Sequence, residues 1–102
     1  MKYLRLVSTT DLSVEIGDEE ESLRLEIFQD SSSPRAFIAK LWQEQLFRMK
    51  PNSAPRRTSS ESFFVEMSWV LERTEFESQD ADDAFIQAIE ELNKYINRNN
   101  GT

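Results

Sequence analysis

Apolar and polar residues alternate through the first part of the chain. Leu12, Val14 and Ile16 are separated by Ser13 and Glu15, the period of a half-buried strand. Leu23, Leu25 and Ile27 are separated by Arg24 and Glu26 and predict another strand, ending near Phe28. Between them, Gly17-Asp18-Glu19-Glu20-Glu21 reads as a turn with a solvated acidic tip. Upstream, Tyr3, Leu4, Leu6 and Val7 form a short extended run that ends in Ser8-Thr9-Thr10-Asp11. Three successive strands with short links predict an antiparallel meander.

The period then changes. Ser33 suits a helix N-cap and Pro34 the first helical position. From Pro34 to Met49, residues Phe37, Ile38, Leu41, Trp42, Leu46 and Met49 fall on one half of a helical wheel, which predicts a helix. Phe47 projects from the opposite side of that helix, near Lys40, Gln43 and Lys50, and is a candidate exposed anchor for a partner. Pro51-Asn52-Ser53-Ala54-Pro55 ends the helix, and Arg56-Arg57-Thr58-Ser59-Ser60 extends the loop. Phe63, Val65, Met67, Trp69 and Leu71 alternate and predict a long strand between Phe63 and Phe76. Phe64, Met67, Val70 and Leu71 also fit a helical face, behind a Thr58–Glu61 capping box, but five alternating apolar residues weigh for the strand.

The last element has the strongest pattern. Asp80, Asp82 and Asp83 suit a helix start, Phe85, Ile89, Leu92 and Ile96 make one stripe flanked by Ile86, and Lys94 and Arg98 suit the carboxyl end. Asn99-Asn100-Gly101 stops it. The fold expected is an α+β single domain over residues 1–102, an antiparallel sheet in β-β-β-α-β-α order with two helices packed on one face.

Composition narrows the chemistry. The chain has no His and no Cys and only two Gly. A Ser-His or Cys-His nucleophile, a Cys-based zinc site, a disulfide framework and a Gly-rich phosphate loop are therefore absent. Asp80, Asp82 and Asp83 are candidate ligands for Mg²⁺ or Ca²⁺, but they lack EF-hand spacing and suit a helix start better. With 19 acids, no carboxylate pair stands out as a glycosidase couple. The expectation is a non-enzyme without cofactor or metal. The longest apolar run, Ala36–Ala39, falls short of a membrane span, and Met1–Leu6 does not resemble a secretory leader, so a cytoplasmic location is expected.

Charge is sorted along the chain. Residues 1–30 hold eight acids and three bases, residues 31–60 one acid and six bases, and residues 61–102 ten acids and three bases. The total is −7, which favours a basic partner. The acids fall in two blocks, and if the strands bearing them pair, they form one negative face. Glu15, Asp18, Glu19, Glu20, Glu21 and Glu26 supply one part, and Glu66, Glu72, Glu75 and Glu77 the other, with Glu66 and Glu72 opposite Trp69 on a shared strand.

The expected function is a small acidic protein-binding module, of the toxin-immunity or antitoxin type found in bacteria, that inhibits a basic partner by covering it. One alternative is a small acidic secretion or folding chaperone acting as a homodimer. Another is a nucleic-acid-binding accessory protein that uses the basic segment 35–57, with Arg35, Lys40, Arg48, Lys50, Arg56 and Arg57 tracking phosphates. The overall charge opposes that use.

Overall fold

A computed structural model describes residues 1–48 and 60–101, with side chains for 1–45 and 63–101. Strands β1 (Leu4–Ile16), β2 (Glu19–Asp30), β3 (Ala36–Arg48), β4 (Ser60–Glu66) and β5 (Glu75–Glu77) precede one helix, α1 (Ala81–Asn99). The strands form one antiparallel sheet in the order β1-β2-β3-β4, with β5 pairing the same edge of β3 as β4. The fold is α+β, with five strands and a C-terminal helix among the described residues, where the second helix expected from sequence is not formed.

The first two expected strands are a single one. Ser8–Asp11 continues β1 instead of turning, because threonines suit a pleated strand. An irregularity between Leu6 and Ser8 shifts the register and places Val7 against the core. The β1–β2 turn has two residues, with Gly17 at φ 66°, the first-position conformation that a type II′ hairpin assigns to glycine.

The expected helix over Pro34–Met49 is instead β3 as far as Arg48, preceded by a turn at Pro34 and Arg35 that Ala36 N–H closes by donating to Ser33 C=O at 3.0 Å, and Met49 lies outside the described residues. Its register explains why. Phe37, Ala39 and Leu41 point into the core, while Ile38, Lys40 and Trp42 point the other way. A strand with apolar side chains on both faces mimics a helical arc when only sequence spacing is read. Pairing on both edges, with β2 on one side and β4 and β5 on the other, satisfies its backbone and overrides local preference.

The expected long strand from Phe63 to Phe76 is interrupted. After β4 the chain leaves the edge of β3 at Met67, whose N–H donates to Leu41 C=O at 2.8 Å, and returns at Thr74, whose C=O accepts from Ala39 N–H at 2.8 Å. The excursion carries a 3₁₀ turn at Ser68–Val70, and the Ser68 hydroxyl accepts from Leu41 N–H at 3.0 Å. Met67, Val70 and Leu71 are buried in the core, whereas Trp69 is 81% exposed.

Helix α1 forms as expected. The Asp80 side chain accepts from Asp83 N–H at 2.8 Å, and Arg98 lies in the last turn. Ala84, Ala88 and Leu92 are fully covered, and the small alanines let the helix approach the sheet closely. Phe85, Ile89 and Ile96 flank that line, and Ile86 is exposed. The core lies between α1 and one face of the sheet, centred on Leu23, Leu25, Ile27, Phe37 and Leu41. Among the described residues, no helix is long and apolar enough to cross a membrane.

Candidate functional site

Helix α1 covers one side of the sheet. Because residues opposite each other in an antiparallel pair share a face, the register fixes what the other side presents. One row across it is Asp11, Arg24, Trp42 and Glu66, one residue each from β1, β2, β3 and β4. The neighbouring positions add Glu26 opposite Lys40, and Glu44 opposite Phe64. Toward the far end, Leu6 lies opposite Phe28 and Phe28 opposite Ile38, with Glu75 beside Ile38 and Glu77 beside Ala36. Glu15 and Glu20 face each other next to the hairpin turn.

This face, which no described element covers, is therefore aromatic and acidic. Among the described side chains its charges at paired strand positions are Asp11, Glu15, Glu20, Glu26, Asp30, Glu44, Glu66, Glu75 and Glu77 against Arg24 and Lys40, with Lys2 paired to Asp30 and Arg35 beside Glu75 and Glu77 at its far end. Arg24 and Lys40 rest on rings: the Arg24 guanidinium lies 4.3 Å from the Phe64 centroid, and the Lys40 ammonium 5.5 Å from that of Phe28. Arg24 also donates to Asp11 at 2.8 Å, which holds the Asp11 carboxyl below its ordinary range and raises the guanidinium further. The Trp42 indole N–H donates to Glu26, so Trp42 is anchored with its ring still partly open to solvent. Arg24, Glu26, Trp42 and Phe64 line an open cleft of about 210 Å³.

Six of the expected partner-binding acids meet on this face: Glu15, Glu20, Glu26, Glu66, Glu75 and Glu77. The strands carrying the two acid blocks do not pair directly; β3 lies between them and contributes Glu44. The other expected acids are elsewhere. Asp18 sits in the hairpin turn. Glu19 and Glu21 lie opposite Ile16 and Val14 on the helix side, where Glu21 accepts from Gln43. Glu72 is in the excursion, paired with Arg98 of α1 at 2.9 Å, and shares no strand with Glu66. Phe47 lies in β3 opposite Glu61 and not on a helix, and its side chain is outside the described residues.

The remaining ion pairs hold the fold together. Glu91, 4% exposed, accepts from Lys94 at 2.9 Å and from Arg73 N–H at 3.1 Å, tying the excursion to α1. The Lys94 bond holds its carboxyl below the ordinary glutamate value. Asp30 accepts from the Ser32 hydroxyl and N–H and pairs with Lys2 at 3.2 Å. Its carboxyl is lowered, first by the Ser32 hydroxyl. Asp80 is occupied as the helix cap, and among the described residues no acid cluster is arranged to hold a metal ion.

Of the basic segment, Lys40 lies on the acidic face and Arg35 lines a cleft with Lys2, Asp30, Glu75 and Glu77, so neither begins a cationic track. The Lys50, Arg56 and Arg57 part of that track, and the Arg48 side chain, lie outside the described residues. The residues that sequence reasoning missed are Asp11, Phe28, Glu44 and Phe64, together with the placement of Trp42 on this face rather than in the core. The alternation Ile38, Lys40, Trp42, Glu44 was the available signal. In comparisons with known proteins, no family model, no curated protein and no solved structure matches the chain.

Proposed function

We infer that the chain is a small protein-binding module whose uncovered sheet face covers a basic partner, in the manner of an immunity protein or other inhibitor. The observation that carries this reading is the composition of that face, with nine carboxylates at its described strand positions against Arg24 and Lys40 and, at the far end, Lys2 and Arg35, set among Trp42, Phe64 and Phe28. Half-buried aromatics supply contact area with little ordering entropy, and the carboxylate excess steers a cationic partner and speeds its arrival. The reading needs no bond to be made or broken, since occlusion alone suffices for inhibition.

The test is charge reversal on the two sides of the molecule. Binding to a basic nuclease domain is measured at low and at physiological salt, using Glu66→Lys/Glu75→Lys and, as control, Glu72→Lys/Glu90→Lys. The face variant is expected to lose at least tenfold in association rate, with a flatter salt dependence, while the control stays within about twofold. Equal losses in both variants, or an absence of binding to any basic protein at low salt, would sink the reading.

A further inference from the structure

The cleft at the middle of the acidic face has a more specific chemistry than the face as a whole. Its walls are the rings of Trp42 and Phe64, and its resident cation is Arg24, whose guanidinium lies on Phe64 and pairs with Asp11. Carboxylates from three strands act on that cation, and a fourth lies beyond Trp42. Asp11 bonds it, Glu26 and Glu44 act on it through space, and Glu66 lies opposite Trp42 in the next strand. Lys40 lies opposite Glu26, so two positive charges are set among four negative ones and the cleft is left in deficit of cations.

Other features sharpen the deficit. Glu26 is engaged by the Trp42 indole N–H, which fixes the ring beside a carboxylate. Glu44 and Glu66 have no ion pair among the described residues. The stacking of Arg24 on Phe64 shows inside the molecule the kind of contact these surroundings favour, a planar guanidinium on a ring with a carboxylate at its edge.

We propose that this cleft seats an arginine side chain of the basic partner, its guanidinium against Trp42 and its charge met by Glu44 and Glu66. The proposal rests on the acidic-face reading and adds to it a choice of arginine over lysine. An ammonium is a compact, strongly hydrated charge that gains less from a ring face and cannot form the paired fork to a carboxylate.

The experiment uses the full chain carrying Trp69→Phe, which leaves Trp42 as the sole indole because the sequence has two tryptophans. An oligo-arginine and an oligo-lysine peptide of equal length are titrated at low salt, and Trp42 emission and affinity are recorded. Oligo-arginine is expected to bind about tenfold more tightly and to shift or quench Trp42 emission. Trp42→Leu, read by affinity alone, should bring the two affinities together. Glu44→Gln, a substitution at a partly exposed carboxylate that leaves the ring in place, should weaken the arginine peptide several-fold whether or not the ring variant folds.

Equal affinities with unchanged Trp42 emission would overturn the arginine seat. In that case, weakening of both peptides by Glu66→Lys/Glu75→Lys would leave the acidic-face reading standing by itself. If neither peptide binds, both readings fall.

Discussion

On β3, Phe37, Ala39 and Leu41 face the helix and are buried, while Ile38, Lys40 and Trp42, each one residue along, face away and keep contact with solvent. The two sides of one sheet thus follow different rules. Under α1, apolar side chains fill space, and the polar groups that enter are bonded: Glu91 and Ser68 take backbone N–H partners, and the Ser78 hydroxyl accepts from the Gln87 amide. On the uncovered side, rings are only half-buried and carboxylates outnumber cations. The first arrangement is what stability selects. The second leaves like charges close together and aromatic surface in water, neither of which the isolated fold needs.

The contrast is broken most sharply by truncation on each side of the sheet, at Leu41 of β3 and Phe64 of β4. Leu41 is fully buried at the centre of the core, so Leu41→Ala should cost about 3 kcal/mol. Phe64→Ala, on the uncovered face, should cost less in folding and more in partner binding. Urea denaturation and a binding titration on the same samples check both. Comparable losses of stability would mean that the open face is a second core.

The covered side is next tested at Glu91. Glu91→Ala removes the acceptor of Arg73 N–H and the partner of Lys94, at a cost of about 2 kcal/mol. The sign with pH follows from its lowered carboxyl. Its contribution is fully present above the ordinary glutamate pKa and is lost as pH falls through the lower folded value. The difference in urea midpoint between wild type and Glu91→Gln should therefore be constant near neutral pH and close in acid.

Asn100 joins the two regions. Its side chain accepts from Gly17 N–H at 2.6 Å and donates to Glu15 C=O at 3.2 Å, pinning the acidic hairpin to the end of α1. Asn100→Ala should cost about 1 kcal/mol and speed amide exchange in the hairpin more than in β3. Uniform loss of protection would show that the hairpin is held by the sheet alone.

How much of this was legible beforehand depends on whether a segment's two faces differ. β2 alternates Leu23, Leu25 and Ile27 with Arg24 and Glu26, and α1 carries its cap at Asp80 and its cation at Arg98, so each announces its period and its ends. β3 does not, because Ile38 and Trp42 are apolar on the solvent side, and the combined spacing imitates a helix. The alternation after Phe63 is genuine only as far as Glu66. Beyond it, Met67, Val70 and Leu71 enter the core from an excursion whose shape depends on Leu41 and Glu91, far away in sequence. The acids of the candidate face were visible as charge blocks. The rings among them are not, because the spacing of Trp42 with Phe37, Ile38 and Leu41 fits one face of a helix as well as it fits two faces of a strand.

The smallest effect is the most diagnostic. Glu15 and Glu20 lie directly opposite each other on the uncovered face, and the Ser13 hydroxyl donates to Glu20. Like charges so placed oppose pairing of the strands, so Glu15→Lys turns a repulsion into an attraction while leaving the Ser13 bond intact. Its gain should be about 0.5 kcal/mol, a rise in Tm of roughly 3 °C. The same substitution removes negative potential from the face and should slow capture of a basic partner at low salt by about twofold. Stability and binding then move in opposite directions from one side chain, which is the signature of charge retained for an external partner. A variant that gains stability with no loss of association would show that the hairpin acids lie outside the interface, confining it to the rows around Trp42.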